Sequence, residues 1–110
     1  MMTALEEYRD AAAARIAALD ADLLALRAAR ADSNADDEHD PEGSTLSSDW
    51  SRIAGLRSEA LAQLEQADAA ITRVADGTYG SCATCGRAIP AERLAVRPAA
   101  LQCVACASAR

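Results

Sequence analysis

Apolar side chains recur three and four positions apart along two stretches of the chain. The first stretch contains no Gly or Pro and predicts one long helix over residues 3–32. The second predicts a helix that begins just after Ser44, a favourable N-cap residue, and ends at Asp76-Gly77. Leu56 and Leu61 are expected to widen the apolar face of the second helix. The two stripes consist of Leu5, Tyr8, Ala12, Ile16, Leu19, Leu23, Leu26 and Arg30, and of Ile53, Ala60, Leu64, Ala67, Ile71 and Val74.

The segment from Ala31 to Ser48 interrupts this pattern with Pro41, Gly43 and several Ser and Asp residues. Two helices joined by such a turn region predict a mainly α fold, a long antiparallel helical hairpin (coiled coil) with arms of roughly 45 Å. The alanine-rich seam lets the arms approach closely but buries little area, so the hairpin needs an anchor at its open end. A compact helical bundle formed by self-association is the alternative. Trp50 is expected to pack the turn region against helix 1.

Composition and charge narrow the function classes. The 110 residues include 29 alanines and three aromatics, which argues against an all-β fold. The net charge of −6 is uneven, since residues 1–50 hold 12 acids and 4 Arg. Without a basic face, direct binding to nucleic acid is not expected. No basic-then-apolar stretch follows Met1 and no apolar run is long enough to span a bilayer, so we expect a cytoplasmic protein without membrane contact.

Four cysteines form two pairs with metal-ligand spacing. Cys82 and Cys85 are separated by two residues, as are Cys103 and Cys106, and 17 residues lie between the pairs. This spacing is typical of a site in which four thiolates hold one Zn²⁺ tetrahedrally at about 2.3 Å. With all four positions filled by sulfur, the ion is structural and not hydrolytic. A redox CxxC and a pair of disulfides are the other interpretations; the first lacks a βαβ setting, and the compartment disfavours the second.

The C-terminal segment resembles the C4 zinc finger of the DksA/TraR family. The resemblance rests on the run GTYGSCATCGRAIP from Gly77 to Pro90, on Glu92-Arg93-Leu94 and on CVAC from Cys103 to Cys106. It implies domains at residues 1–76, the hairpin, and 77–110, the finger. Members of this family are bacterial regulators that bind RNA polymerase and insert an acidic coiled-coil tip into its secondary channel, in some cases together with ppGpp. Ile89, Leu94, Val96 and Leu101 are expected to form the finger core, joined by Tyr79.

The turn region carries a run of acids that suits this implied role. Residues 32–42 hold six carboxylates and no Arg, which makes an acidic tip at about 32–44. The four expected to act at the tip are Asp36, Asp37, Glu38 and Asp40. The resemblance implies a transcription regulator that is not an enzyme. A zinc-stabilised protein–protein interaction module is the alternative, and a thiol-redox enzyme is a third hypothesis.

Overall fold

The computed structural model contains four helices in its described part, which comprises residues 2–36 and 41–109, with the side chains of Met2 and of residues 33–36 and 41–45 not described. The helices are α1 (Met2–Asp36), α2 (Pro41–Asp76), α3 (Ala91–Val96) and α4 (Val104–Ser108). An isolated antiparallel bridge joins Ser81 and Ala88. No helix in the described ranges combines the length and apolar content that crossing a membrane requires. The mainly α fold with two long helices is confirmed.

Both long helices extend further into the predicted turn region than expected. Helix α1 continues to Asp36, beyond the predicted end at residue 32, and α2 begins at Pro41 and not after Ser44. Residues 31–36 contain no Gly or Pro. Each residue type present there lowers helix stability by less than about 0.7 kcal/mol relative to Ala, so the helix can continue through them. Proline is favoured at the first helical position, where its missing N–H has no partner to lose.

The predicted tip falls on residues about which little is described. Residues 37–40, which include Asp37, Glu38 and Asp40, and the side chain of Asp36 lie outside the described part. The acidic tip at about 32–44 therefore stays a prediction, as does the domain boundary at 76/77.

The chain divides into two compact units, of which one comprises residues 12–62, the larger part of both long helices with the connection between them. Its core is formed by Leu19, Ile53 and Ala60, with Ile16, Leu23 and Leu26 packed against them. Ala60 is completely buried. The predicted stripes of both helices thus face each other here, and the small alanine side chain is part of the contact.

Polar side chains set the antiparallel register within this unit. Asp20 accepts a hydrogen bond from Arg57 Nε at 2.5 Å, and the Arg27 guanidinium lies 5.8 Å from the centre of the Trp50 ring. The residue numbers of the two pairs have the same sum, as an unshifted antiparallel pairing requires. Trp50 is half-buried under this cation.

Leu56 and Leu61 do not widen the buried face of α2 as expected. They are 40% and 38% exposed. The positions that turn towards α1 are Ile53, Arg57 and Ala60, three and four residues apart, so positions 56 and 61 fall on the two flanks of this stripe.

The other unit comprises residues 1–11 and 63–110 and contains two small cores. One consists of Leu5, Ala70 and Ala99, with Tyr8, Ile71, Val74 and Tyr79 packed against it. The second consists of Cys82, Ile89 and Leu94, and Tyr79 packs against this core as well. The Tyr79 hydroxyl donates to the Pro98 carbonyl at 2.7 Å. Tyr79 therefore belongs to both cores and joins the helix ends to the cysteine-bearing segment.

Helix α2 ends where the sequence predicted, in a Schellman motif. Gly77 has a φ of +79°, which glycine adopts without a side-chain penalty. The Gly77 N–H donates to Val74 O at 3.2 Å, and the Thr78 N–H donates to Arg73 O at 2.9 Å. This pair of bonds turns the chain out of the helix and fixes the direction in which the next segment leaves.

We predict that Ala60→Leu destabilises the protein by about 1–3 kcal/mol, because the buried position has no room for three further carbons. Ala62→Leu, two residues along the same helix but exposed, is the matched control and should change stability by less than about 0.5 kcal/mol. Urea unfolding followed by circular dichroism measures both. Equal stability of the two variants would contradict the close helix contact.

Candidate metal centre

The first cysteine pair lies on a tight turn between two short antiparallel segments. The two segments are paired by the Ser81–Ala88 bridge, and the Ile89 N–H donates a hydrogen bond to Gly80 O at 2.7 Å. At the turn, Cys82 N–H donates to Arg87 O at 2.7 Å, and Gly86 N–H donates to Cys82 O at 2.9 Å. Gly86 has a φ of +77°, which a side chain would oppose. The turn thereby presents the sulfurs of Cys82 and Cys85 together.

The second pair occupies the first turn of a helix and not a loop turn like the first. Cys103 is the N-cap residue of α4, and Ala107 N–H donates to Cys103 O at 2.9 Å. Residues three apart share one face of a helix, so a helical turn brings Cys103 and Cys106 together as effectively as a loop turn does.

The four sulfurs converge on one point. All four Sγ atoms lie within 4.8 Å of one another, and those of Cys85 and Cys103 are 3.9 Å apart. Tetrahedral coordination at about 2.3 Å places sulfurs about 3.8 Å apart, whereas a disulfide needs about 2.05 Å. All four cysteines are free. The donor set and its spacing therefore fit one Zn²⁺ ion, which when bound would tie the two pairs together.

A small apolar core lies beside the cysteines. Ile89 and Leu94 are buried beside Cys82, as expected, and Leu101 is half-buried. Val96 is 81% exposed and does not join this core. It lies two residues beyond Leu94 in α3, about 200° further around the helix, so it faces away when Leu94 faces inward.

Arg73 also holds the segment before the first cysteine pair, although the sequence pattern does not point to it. Its guanidinium donates to Thr78 O at 3.2 Å and also to Ser81 O, which connects the last turn of α2 to the segment leading into Cys82. A basic side chain in the last helical turn before a glycine is a recognised signal for such carbonyl bonding, but it does not reveal which carbonyls are reached.

The surroundings of the cysteines lower the pKa of two thiols and raise that of a third. Amide N–H groups of Cys85 and Cys103 lower the pKa of Cys82 to about 5, against the opposing effect of burial. The N–H of Cys106, at the start of α4, lowers the pKa of Cys103. Cys106 is the reverse case: neighbouring sulfurs, first of all Cys103, raise its pKa to about 12. Without a cation the cluster holds thiolate at Cys82 and a proton on Cys106 Sγ at neutral pH.

Comparison with known proteins agrees with this geometry. Residues 77–110 match the family model described as the prokaryotic dksA/traR C4-type zinc finger. The C-terminal segment therefore matches the zinc finger of the DksA/TraR family. The two cysteine pairs that the resemblance singled out are the ones that the fold brings together.

The fold of the chain is also similar to that of a solved DksA-type protein. The transcription factor DksA2 from Pseudomonas aeruginosa superposes with a TM-score of 0.57 at 22% sequence identity, over 94% of this chain and 79% of that one. This likeness establishes a shared fold for the hairpin together with the DksA/TraR finger. No match is found among the curated proteins.

We predict that zinc binding releases protons and weakens as the pH falls. Near pH 7 the metal-free cluster retains the proton of Cys106, whose pKa is about 12, so binding must release at least this proton. Below about pH 5, the pKa of Cys82, this thiol is protonated as well and more protons must leave, so affinity falls further. Titration calorimetry in two buffers of different ionisation enthalpy counts these protons. A binding enthalpy that is the same in both buffers would show that no proton is released and would contradict a protonated Cys106 in the metal-free cluster.

Proposed function

We propose that this protein is a non-enzymatic transcription regulator that binds RNA polymerase, and that one structural Zn²⁺ held by Cys82, Cys85, Cys103 and Cys106 fixes its base. The observation that carries the proposal is the match of residues 77–110 to the DksA/TraR zinc finger. The fold likeness to a transcription factor supports it, because the likeness extends over the hairpin and not over the finger alone.

The charge of the chain favours a protein partner over DNA. The net charge is −6, and residues 1–50 hold 12 acids against 4 Arg, so the hairpin would be repelled by phosphates. An acidic surface suits a cationic cleft or the neighbourhood of a catalytic metal ion. We propose that the hairpin enters the secondary channel of polymerase, where Asp36, Asp37, Glu38 and Asp40 act at its tip. Such a role places the protein in the cytoplasm, where the thiols remain reduced.

The helical packing supports this use of the hairpin. Within residues 12–62 the contact between α1 and α2 is made of interlocking apolar side chains and the Asp20–Arg57 pair, and the outward positions remain exposed. Leu19, Ile53 and Ala60 are buried in this contact, whereas Leu24, Leu56 and Leu61 remain exposed outside it. We propose that a partner contacts the hairpin through electrostatic interactions with the acidic tip and not through a large apolar face.

We predict that the zinc-loaded protein co-migrates with core RNA polymerase in gel filtration and changes initiation in a purified transcription assay. Replacing Asp37 and Asp40 together with Asn should abolish the effect on initiation, because the two negative charges are lost while the helices are retained. The matched control replaces Asp22 with Asn and Glu59 with Gln, two exposed acids within residues 12–62, and should retain the effect.

Three results would contradict parts of this proposal. Full regulation by the Asp37/Asp40 variant would remove the tip mechanism while leaving polymerase binding intact. Equal loss in the tip and control variants would indicate a general charge effect. Absence of co-migration, together with a stable dimer in light scattering, would favour the alternative of an interaction module that pairs through its hairpin.

A further inference from the structure

The two cysteine pairs are connected to each other by hydrogen bonds that do not involve sulfur. Ala83 and Thr84 lie between the cysteines of the first pair, and Leu101 and Gln102 directly precede the second. The Ala83 N–H donates to Leu101 O at 2.8 Å. Next to it, Gln102 Nε2 donates to the Thr84 hydroxyl oxygen at 2.8 Å. Both residues between the first two ligands are thus bonded to the two residues that lead into the third.

Gln102 is itself attached to the rest of the finger. Its carbonyl accepts a hydrogen bond from Arg93 Nε at 2.9 Å. Arg93 lies in α3 beside Leu94, which is buried in the same core as Cys82. Gln102 therefore has one contact to a helix anchored in the finger core and one to the turn of the first cysteine pair.

This arrangement bears on how the ion would leave. Cys82 is buried but Cys85 is exposed, so a competing chelator reaches the cluster from the Cys85 side. Complete release requires the two pairs to part after the first sulfur has detached. A bond that keeps the pairs together at that moment keeps the detached thiolate at a high local concentration and favours its return.

We propose that the Thr84–Gln102 hydrogen bond is a clamp that positions the two cysteine pairs and slows the loss of zinc. Thr84 and Gln102 are positioning residues, since neither supplies a ligand atom. The neighbouring Ala83–Leu101 bond is formed by the backbone and survives any side-chain change. The side-chain bond is the part of the clamp that the amino-acid sequence specifies. The inference rests on the proposed zinc site but not on polymerase binding.

The experiment measures the rate at which zinc passes from the purified full-length protein to an excess of a chromogenic chelator. Thr84→Val keeps the shape of the side chain but removes the hydroxyl, and should speed release about two- to tenfold, the effect of one partly exposed hydrogen bond. Thr84→Ser keeps the hydroxyl and should release zinc at the wild-type rate. Thr72→Val is the matched control, because it removes an exposed hydroxyl that donates to Asp68 O within α2, outside the finger.

A double-mutant cycle with Gln102→Met separates the clamp from general loosening of the finger. Removing either partner should speed release, and removing both should add little to either single change. Equal rates for Thr84→Val and Thr84→Ser, or additive effects in the cycle, would overturn the clamp. A wild-type protein that binds no zinc would instead refute the metal site on which the clamp depends. Helical ellipticity should be the same in all variants.

Discussion

The convergence of four thiols within 4.8 Å is the constraint on which the C-terminal part of this protein depends. Among the described residues, the buried side chains of the apolar core around them are Cys82, Ile89 and Leu94, joined by a few partly buried ones. So small a core cannot offset the conformational entropy of ordering more than thirty residues, and domains of this size generally need a metal or disulfides. All four cysteines are free and spaced as a tetrahedron requires, so a bound zinc ion would supply the missing stability.

What the finger stabilises in turn is the base of the hairpin. Tyr79 packs against both the core of the helix ends and the core beside the cysteines, and Arg73 bonds from the last turn of α2 to the carbonyl of Ser81. The Schellman motif at Gly77 fixes the direction of the chain between them. Order in the cysteine cluster is thereby transmitted to the pairing of α1 with α2 through defined contacts within one compact unit.

The sequence was sufficient where a pattern has one physical meaning. Cysteine spacing identified all four residues of the cluster, and the three- and four-residue steps identified the facing stripes around Leu19 and Ile53. It was insufficient where packing against other parts of the fold decides whether a residue is buried or which group it contacts. Leu56 looked as apolar as Ile53, but its position on the flank of the stripe leaves it exposed. Val96 is exposed because it faces away from the core when Leu94, two residues earlier in α3, faces inward. Pro41 interrupts the sequence pattern, yet it is the first residue of α2, a position at which a helix accepts proline. The Thr84–Gln102 and Arg73 bonds depend on tertiary placement that no local pattern encodes.

A four-cysteine metal site at the base, an alanine-rich contact between two long helices, and negative charge concentrated in the first half of the chain together support the proposed function. Its most direct test is X-ray absorption at the zinc edge of the protein as purified from cells. The account requires about one zinc per chain with four sulfur neighbours at about 2.3 Å. A first shell containing nitrogen or oxygen, or metal-free protein with oxidised cysteines, would contradict it.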